Sequence, residues 1–156
     1  MTKTILIDGN NIHDIPAFYE EINRVFMANT DWKLGQSLDA LNDMFYGGYG
    51  EINGNENVRL FWKNMDKSRE DLGLEVTKNY YEEKLKSPTV FNSDFVAEKL
   101  AELENGVGKT YFEIVMEIIS EHPNVELIMG VRFFYSVFIF VYIFPFHHMG
   151  ILSLSG

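Results

Sequence analysis

Three short apolar segments, set far apart along the chain, predict the strands of one sheet. They cover residues 4–7 (TILI), 58–62 (VRLFW) and 125–129 (VELIM), and their length and apolar, partly β-branched content are typical of buried strands. Helical patterns lie between them, and strands that alternate with helices favour parallel pairing. The pattern therefore predicts an α/β fold in which helices pack on a small three-stranded parallel sheet.

Two helices are marked by their caps as well as by their apolar periodicity. Asp14 is of a residue type that caps helices, and Pro16 follows in the first turn, where proline is tolerated. Thr110 and Glu113 form a capping-box pattern that opens a second helix. In the helix after Asp14 we expect a buried stripe made of Phe18, Ile22, Val25 and Phe26. We expect its solvated side to be made of Glu20, Glu21 and Arg24.

The Gly-Lys-Thr of residues 108–110 matches the end of a phosphate-binding loop. That motif also needs a glycine five residues earlier, where Leu103 stands, and a strand leading into it. The residues before it, AEKLAELEN, are typical of a helix instead, so we interpret the segment as a glycine helix stop followed by an N-cap. The polar connection that precedes it is predicted to be helical in two pieces, residues 77–85 and 94–104, with breaks at Ser87-Pro88 and at Gly106.

A short helix that begins near Ser37 carries two carboxylates on one side. Its apolar face consists of Leu38, Leu41 and Phe45, and its neighbouring face of Asp39, Asp43 and Tyr46. Carboxylates one turn apart repel by about a few tenths of a kcal/mol, and Lys33 is the only cation close by in the sequence. Taken alone, such a pair is typical of a solvated face, since a catalytic dyad or a divalent-ion site would need further carboxylates nearby.

The charge of the chain is strongly negative: 23 acidic and 13 basic residues give a formal net charge of −10. All of the acidic residues and 12 of the basic ones lie in residues 1–129, which therefore carry −11. Such a surface repels nucleic acid and anionic membranes, and it accelerates encounter with a basic partner. We expect no direct binding of nucleic acid and no membrane association for residues 1–129.

The residue types that usually carry catalysis or bind metals are absent or scattered in the sequence. There are no cysteines, which excludes disulfides and thiolate metal sites and suits a cytoplasmic protein. His13 and His122 flank predicted helices far apart in the sequence, His147 and His148 have no carboxylate nearby, and no Gly-x-Ser-x-Gly motif occurs. We expect no enzymatic activity, no cofactor and no metal.

Residues 130–156 differ in composition from everything before them. Their only charge is Arg132, and the apolar run from Phe133 to Phe144 is shorter than the about 20 residues that a membrane-spanning helix needs. Three interpretations stay open: a membrane segment, an extra strand pair packed on the domain, and non-native sequence such as a shifted reading frame. The abrupt change favours the last, and it divides the chain into a domain, residues 1–129, and an apolar tail.

The region around the acidic helix resembles the signature of the barstar family of ribonuclease inhibitors. Residues 35–43, GQSLDALND, with Gly47 four residues on, are similar to the family pattern aromatic-Gly-x-x-x-Asp-Ala-Leu-x-Asp. The other elements follow in the family's order: ILIDG resembles the first strand, VRLFW the second, FEIVMEIISEH the last helix and NVELIM the final strand. Together these pieces span residues 4–129, and they imply a barstar-like fold.

The resemblance implies an inhibitor that covers the active site of a basic secreted ribonuclease, or of a related toxin nuclease, with this helix and the loop before it. Asp39 would face phosphate-binding arginines, Asp43 would enter the site most deeply, Glu117 would extend the acidic patch, and at Gly47 the backbone would approach the enzyme. The other implied contact residues are Trp32, Lys33, Gly35, Asn42 and Tyr46. We expect a cytoplasmic immunity protein that is monomeric when free.

Some positions depart from the family's prototype, which has aromatic residues in place of Lys33 and Asn42 and a tryptophan in place of Gly48. A lysine opposes a basic enzyme, and aromatic anchors usually carry much of the affinity of an interface; Trp32 and Tyr46 are candidates to compensate. The connection 65–108 is also longer than in the prototype. The alternative hypothesis is therefore an interaction module with the same fold that binds another basic protein.

Overall fold

The structure, a computed structural model, describes residues 2–129. The elements in this range are, in chain order, β1 (Lys3–Asp8), a 3-10 helix (Gly9–Asn11), α1 (Ile15–Phe26), α2 (Leu38–Phe45), β2 (Val58–Lys63), α3 (Met65–Asp71), α4 (Leu74–Leu85), α5 (Ser93–Glu104), α6 (Tyr111–Ser120) and β3 (Val125–Met129). The apolar tail, with His147 and His148, lies outside the described residues. The three interpretations of the tail therefore concern residues outside this range. Within residues 2–129 no helix is long and apolar enough to cross a bilayer.

The three strands form one parallel sheet with β2 in the centre. Ile5 of β1, Leu60 of β2 and Leu127 of β3 are register partners across the sheet. Successive side chains of a strand point to opposite faces: Ile5 and Ile7 are buried against the helices, whereas Leu6 between them is half exposed. The predicted α/β fold with a three-stranded parallel sheet is confirmed.

The buried face of the sheet supports an aromatic core. The rings of Phe18 from α1 and Trp62 from β2 stack at 6.1 Å, and Phe112 from α6 meets Trp62 edge-on at 5.7 Å. The hydroxyls of Tyr19 and Tyr111 hydrogen-bond each other at 2.9 Å. Burial raises the pKa of both hydroxyls, so the pair is neutral. Large rings with a satisfied polar end join α1 and α6 to the sheet.

The first helix begins as predicted, but one of its side chains is not where the pattern put it. Asp14 caps α1 by accepting a hydrogen bond from the Ala17 amide at 2.7 Å. Glu21, predicted on the solvated side, is 2% exposed. Its carboxylate accepts hydrogen bonds from the Asp8 amide at 2.7 Å, from the Asn11 side chain at 2.9 Å and from Arg24. Burial acts to raise the pKa of Glu21, but these hydrogen bonds, with the charge of Arg24, outweigh it and lower the pKa.

The connection between β2 and α6 folds into three helices rather than the two predicted. Both predicted pieces are present as α4 and α5, and α3 was not predicted. Helices α4 and α5 form a helical hairpin, the α4–α5 hairpin. It buries a small cluster of its own, made of Tyr81, Val96 and Leu103. Gly106 follows α5 with a φ of 75°, and Thr110 caps α6 with both hydrogen bonds of the capping box. The helix stop and N-cap are confirmed.

Candidate functional site

The helix α2 is held by its apolar side, which leaves its acidic side in solvent. The Ser37 side chain accepts a hydrogen bond from the Ala40 amide and starts the helix. Leu41, Met44 and Phe45 are buried, with at most 1% of their surface exposed. Of these three, Met44 adds to the apolar face predicted from the spacing. Three fully buried side chains in eight residues fix the orientation of this helix on the core.

Asp39 and Asp43 are both exposed on α2. Within residues 2–129 neither carboxylate accepts a hydrogen bond or forms an ion pair with another side chain. Their charges still act on nearby groups: together with burial, which is the larger cause, the charge of Asp43 raises the pKa of Tyr49. Two unpaired carboxylates on a fixed helix repel each other and attract any cation that approaches.

The loop before α2 presents Trp32 beside this acidic side. Trp32 is 48% exposed, and its ring meets that of Tyr49 at 4.9 Å. The Tyr49 hydroxyl donates a hydrogen bond to the Ala40 carbonyl at 2.7 Å, so Tyr49 ties Trp32 to α2. Sequence reasoning missed Tyr49, which lies between Gly48 and Gly50, after the end of the helix. Lys33, next to Trp32, is exposed and has no carboxylate partner within residues 2–129.

The loop is fastened to α1 by one asparagine. The Leu34 amide donates to the Asn23 side chain at 2.6 Å, and the Asn23 amide group donates back to the Leu34 carbonyl at 3.0 Å. Leu34 itself is buried. Gly35 is exposed, with open space where a Cβ would be, so its lack of a side chain is not required by packing. The loop is therefore a fixed surface that leaves room above Gly35.

The last exposed aromatic of the predicted face, Tyr46, rests on a buried histidine. Tyr46 is 65% exposed and its ring lies 4.5 Å from that of His122, which is 2% exposed. The His122 Nδ1 is 2.8 Å from the Ile118 carbonyl oxygen. His122 thus has a structural role between α2 and α6.

The glycines after α2 have different roles. Gly47 has a φ of 77°, and a Cβ there would lie 2.3 Å from the Gly54 carbonyl oxygen. The Gly47 carbonyl also accepts a hydrogen bond from the Gly54 amide at 2.9 Å. Gly47 is therefore required by the fold itself, whatever it contacts in a complex. Gly48 is exposed with open space around it, and Asn42, on α2, is half-buried.

Glu117 lies on the exposed side of α6 and shares a groove with Asp39. This groove, of about 640 Å³, runs between α2, the α4–α5 hairpin and the start of α6. Glu117 pairs with Lys109 at 2.6 Å, so its charge is partly compensated in the free protein. Sequence reasoning did not find this pairing, because only the fold shows which lysine faces which carboxylate.

Several of the predicted site residues therefore lie together on one exposed surface and the groove beside it. Asp39, Asp43 and Tyr46 lie along α2, Trp32 lies in the loop before it, and Glu117 faces Asp39 across the groove. Within residues 2–129 no group of three or more His, Asp or Glu side chains is arranged to hold a metal ion. The arrangement offers unpaired negative charge flanked by exposed aromatic rings, which suits the binding of a cationic protein surface.

Comparison with known proteins identifies the family. The family model described as Barstar (barnase inhibitor) matches residues 2–83, which contain β1, β2, α2 and most of the surface described above. No curated protein matches the chain. The family match covers more than half of the sequence and includes the acidic helix, so the chain belongs to the barstar family.

Proposed function

We propose that this protein inhibits a basic ribonuclease, or a related toxin nuclease, by covering its active site with α2 and the loop before it. The observation that carries the proposal is the pair Asp39 and Asp43: both are exposed, both lack a cationic partner within residues 2–129, and both stand on a helix fixed by three buried side chains. Carboxylates held in this way lose little freedom when they bind arginine or lysine. The family name, barnase inhibitor, points to the same class of partner.

The charge of the domain supports the choice of a basic partner. Residues 1–129 carry −11, and a field of this sign raises the rate of encounter with a cationic protein. A ribonuclease site holds phosphate with cationic side chains, so paired carboxylates complement it and exclude RNA from it. Inhibition of this kind needs no cofactor and no chemical step.

The proposed contact surface is centred on Asp43. Asp39 and Tyr46 flank it on α2, Trp32 supplies an exposed ring from the loop, and Gly35 leaves the backbone accessible. Asn42, Lys33 and Gly47 complete the surface, and Glu117 joins it once Lys109 is displaced or shared. We propose residues 1–129 as the inhibitory domain, acting in the cytoplasm as a monomer.

The test is binding and inhibition by the full-length protein. Barnase and a panel of other small basic ribonucleases are titrated with the wild type and with Asp43→Ala. We expect tight binding to at least one, weakened by salt, and a loss of about a hundredfold or more in Asp43→Ala because a cation of the enzyme is left buried without a partner.

The matched control is Glu70→Ala, which removes the same charge from an exposed position on α3. We expect it to slow association slightly and to leave the dissociation rate unchanged. If no ribonuclease of the panel binds, or if both variants lose affinity equally, the proposal is wrong.

One observation favours the alternative function, an interaction module for another basic protein. Lys33 is exposed beside Trp32 with no carboxylate partner within residues 2–129, and a lysine there opposes a cationic active site. The alternative predicts that Lys33→Ala leaves ribonuclease binding absent, whereas the inhibitor function predicts that this variant binds the ribonuclease at least as tightly as the wild type.

A further inference from the structure

The groove beside Asp39 is lined partly by residues that match the family model and partly by residues beyond that match. One wall is the start of α2, within the residues that match the family model. Much of the opposite wall comes from residues 84–109, beyond the end of that match at residue 83. A partner that covers Asp39 can therefore also contact residues beyond the family match.

The opposite wall exposes apolar side chains that lie outside both buried clusters. Phe95 is 54% exposed and Val107 is 77% exposed, and both line the groove. Phe95 belongs to neither buried cluster of the described residues. Val107 is held at the rim because its amide donates to the Glu102 carbonyl at 3.0 Å. Exposed aromatic and aliphatic groups beside a charged patch are typical of the anchor points of an interface.

The lysines that line the groove differ in whether they are paired with a carboxylate. Lys99 pairs with Glu102 at 2.8 Å and Lys109 with Glu117 at 2.6 Å. Lys84 differs from them, since its Nζ lies 4.4 Å from the centre of the Tyr80 ring and it forms no ion pair within residues 2–129. A second ring, that of Phe91, lies 4.7 Å from the same Nζ. A half-buried lysine between two rings, without a carboxylate, binds an incoming carboxylate with little reorganisation.

From these observations we infer that the groove receives a protruding loop of the same enzyme that α2 covers, and that this loop carries an apolar side chain next to a carboxylate. The apolar side chain packs on Phe95 and Val107, and the carboxylate reaches Lys84. This inference rests on the proposed function and adds to it: α2 blocks the active site of basic nucleases in general, and the groove selects among them by the loop beside that site.

The experiment uses the full-length protein and a ribonuclease of the panel whose binding depends on Asp43. Phe95→Ala is expected to raise the Kd by about tenfold or more, and equally at low and high salt because the lost contact is apolar. Lys84→Ala is expected to raise it by a smaller factor that shrinks with salt, and Lys84→Arg to restore it. Amide exchange around residues 91–95 and 107–109 is expected to slow in the complex.

The control is Val90→Ala, which shortens an apolar side chain that is 72% exposed in the same hairpin but does not line the groove. Thermal melting of each variant shows that the fold is kept. If Asp43→Ala abolishes binding while Phe95→Ala binds like the wild type, the groove inference is wrong and the proposed function stands. If no ribonuclease binds, both are wrong. Self-association of the free protein that Phe95→Ala disrupts would assign the groove to a second copy and overturn the inference.

Discussion

The main core and the cluster in the α4–α5 hairpin hold their parts of the molecule with different strength. Within residues 2–129 the main core joins 24 buried residues from the sheet, α1, α2, α3, α6 and the loops between them, whereas the hairpin cluster has three, Tyr81, Val96 and Leu103. The acidic helix α2 belongs to the main core through Leu41, Met44 and Phe45. The acidic surface of α2 is therefore expected to unfold only with the whole domain, whereas the hairpin can open separately.

The largest effect is expected from breaking the main core. Phe18→Ala removes a side chain with no exposed surface that stacks on Trp62, and we expect a loss of about 4 kcal/mol in the free energy of unfolding. Urea denaturation followed by tryptophan fluorescence measures it, because Trp32 and Trp62 both lie outside the α4–α5 hairpin, and a single transition is expected. Leu74→Ala, at a half-exposed position, is the control and is expected to cost less than about 0.5 kcal/mol. Two separate transitions in Phe18→Ala would contradict a single cooperative core.

A smaller effect, which depends on pH, is expected at the edge of the main core. Glu21→Gln places an amide where three donors converge on a buried carboxylate, and we expect a loss of about 2 kcal/mol at pH 7. The pKa of Glu21 is lower in the folded protein than its ordinary value of 4.5. Its stabilisation is therefore fully present above pH 4.5 and is lost as the pH falls through the folded pKa.

The difference in stability between wild type and Glu21→Gln is thus expected to shrink below pH 4.5, as measured by urea denaturation across pH. Glu20→Gln, which changes the exposed neighbour, is the control and is expected to have little effect at any pH. A difference that stays constant as the pH falls would show that ionised Glu21 does not stabilise the fold.

The hairpin is tested by a substitution in its own cluster. Leu103→Ala shortens a side chain that is 3% exposed, and we expect a loss of about 2 kcal/mol, at the low end of the usual range because the cluster is small. Hydrogen exchange is expected to accelerate at amides of α4 and α5 and to stay unchanged in β1 and β2. Equal acceleration in both regions would show that the hairpin and the main core form one cooperative unit.

The smallest effect is a gain. Asp43 stands near the carboxyl end of α2 and one turn after Asp39, so both the helix dipole and the neighbouring carboxylate disfavour its charge. Asp43→Asn is expected to raise the free energy of unfolding by about 0.5 kcal/mol while it weakens ribonuclease binding. Asp39→Asn is the control: Asp39 lies in the first turn, where the dipole favours its charge, so little or no gain is expected. Thermal and urea denaturation measure both variants, and a loss of stability in Asp43→Asn would show that its charge supports the fold.

The sequence predicted what depends on neighbouring residues and missed what depends on distant ones. The caps of α1 and α6 and all three strands follow from local pattern, and each is confirmed. Helix α3 was missed because only Met65 and Ser68 of its residues are buried, too few to show a helical period. Glu21 was placed in solvent because its partners, the Asp8 amide and Asn11, precede the helix and reach it only in the fold.

The candidate site shows the same division. Spacing alone places Asp39 and Asp43 on one side of a helix, but it does not show that their charges are unpaired. The groove joins Asp39 to Glu117, far along the chain, and the pairing of Glu117 with Lys109 reduces the charge that the sequence assigns to it. The role of these residues in binding stays a prediction until the complex is measured.

The parallel register has a consequence for the time that the protein needs to become active after synthesis. Lys3 pairs with Val58, and Val58 with Val125, so each strand pair closes a loop of more than 50 residues. Contacts of such long sequence separation slow folding, to about milliseconds or longer. Under the proposed function, a nuclease made in the same cell would be active during that interval, and the cell would need a reserve of folded protein before the enzyme is made. Stopped-flow refolding, followed by the fluorescence of the buried Trp62, measures this interval, and a folding time of microseconds would remove the need for a reserve.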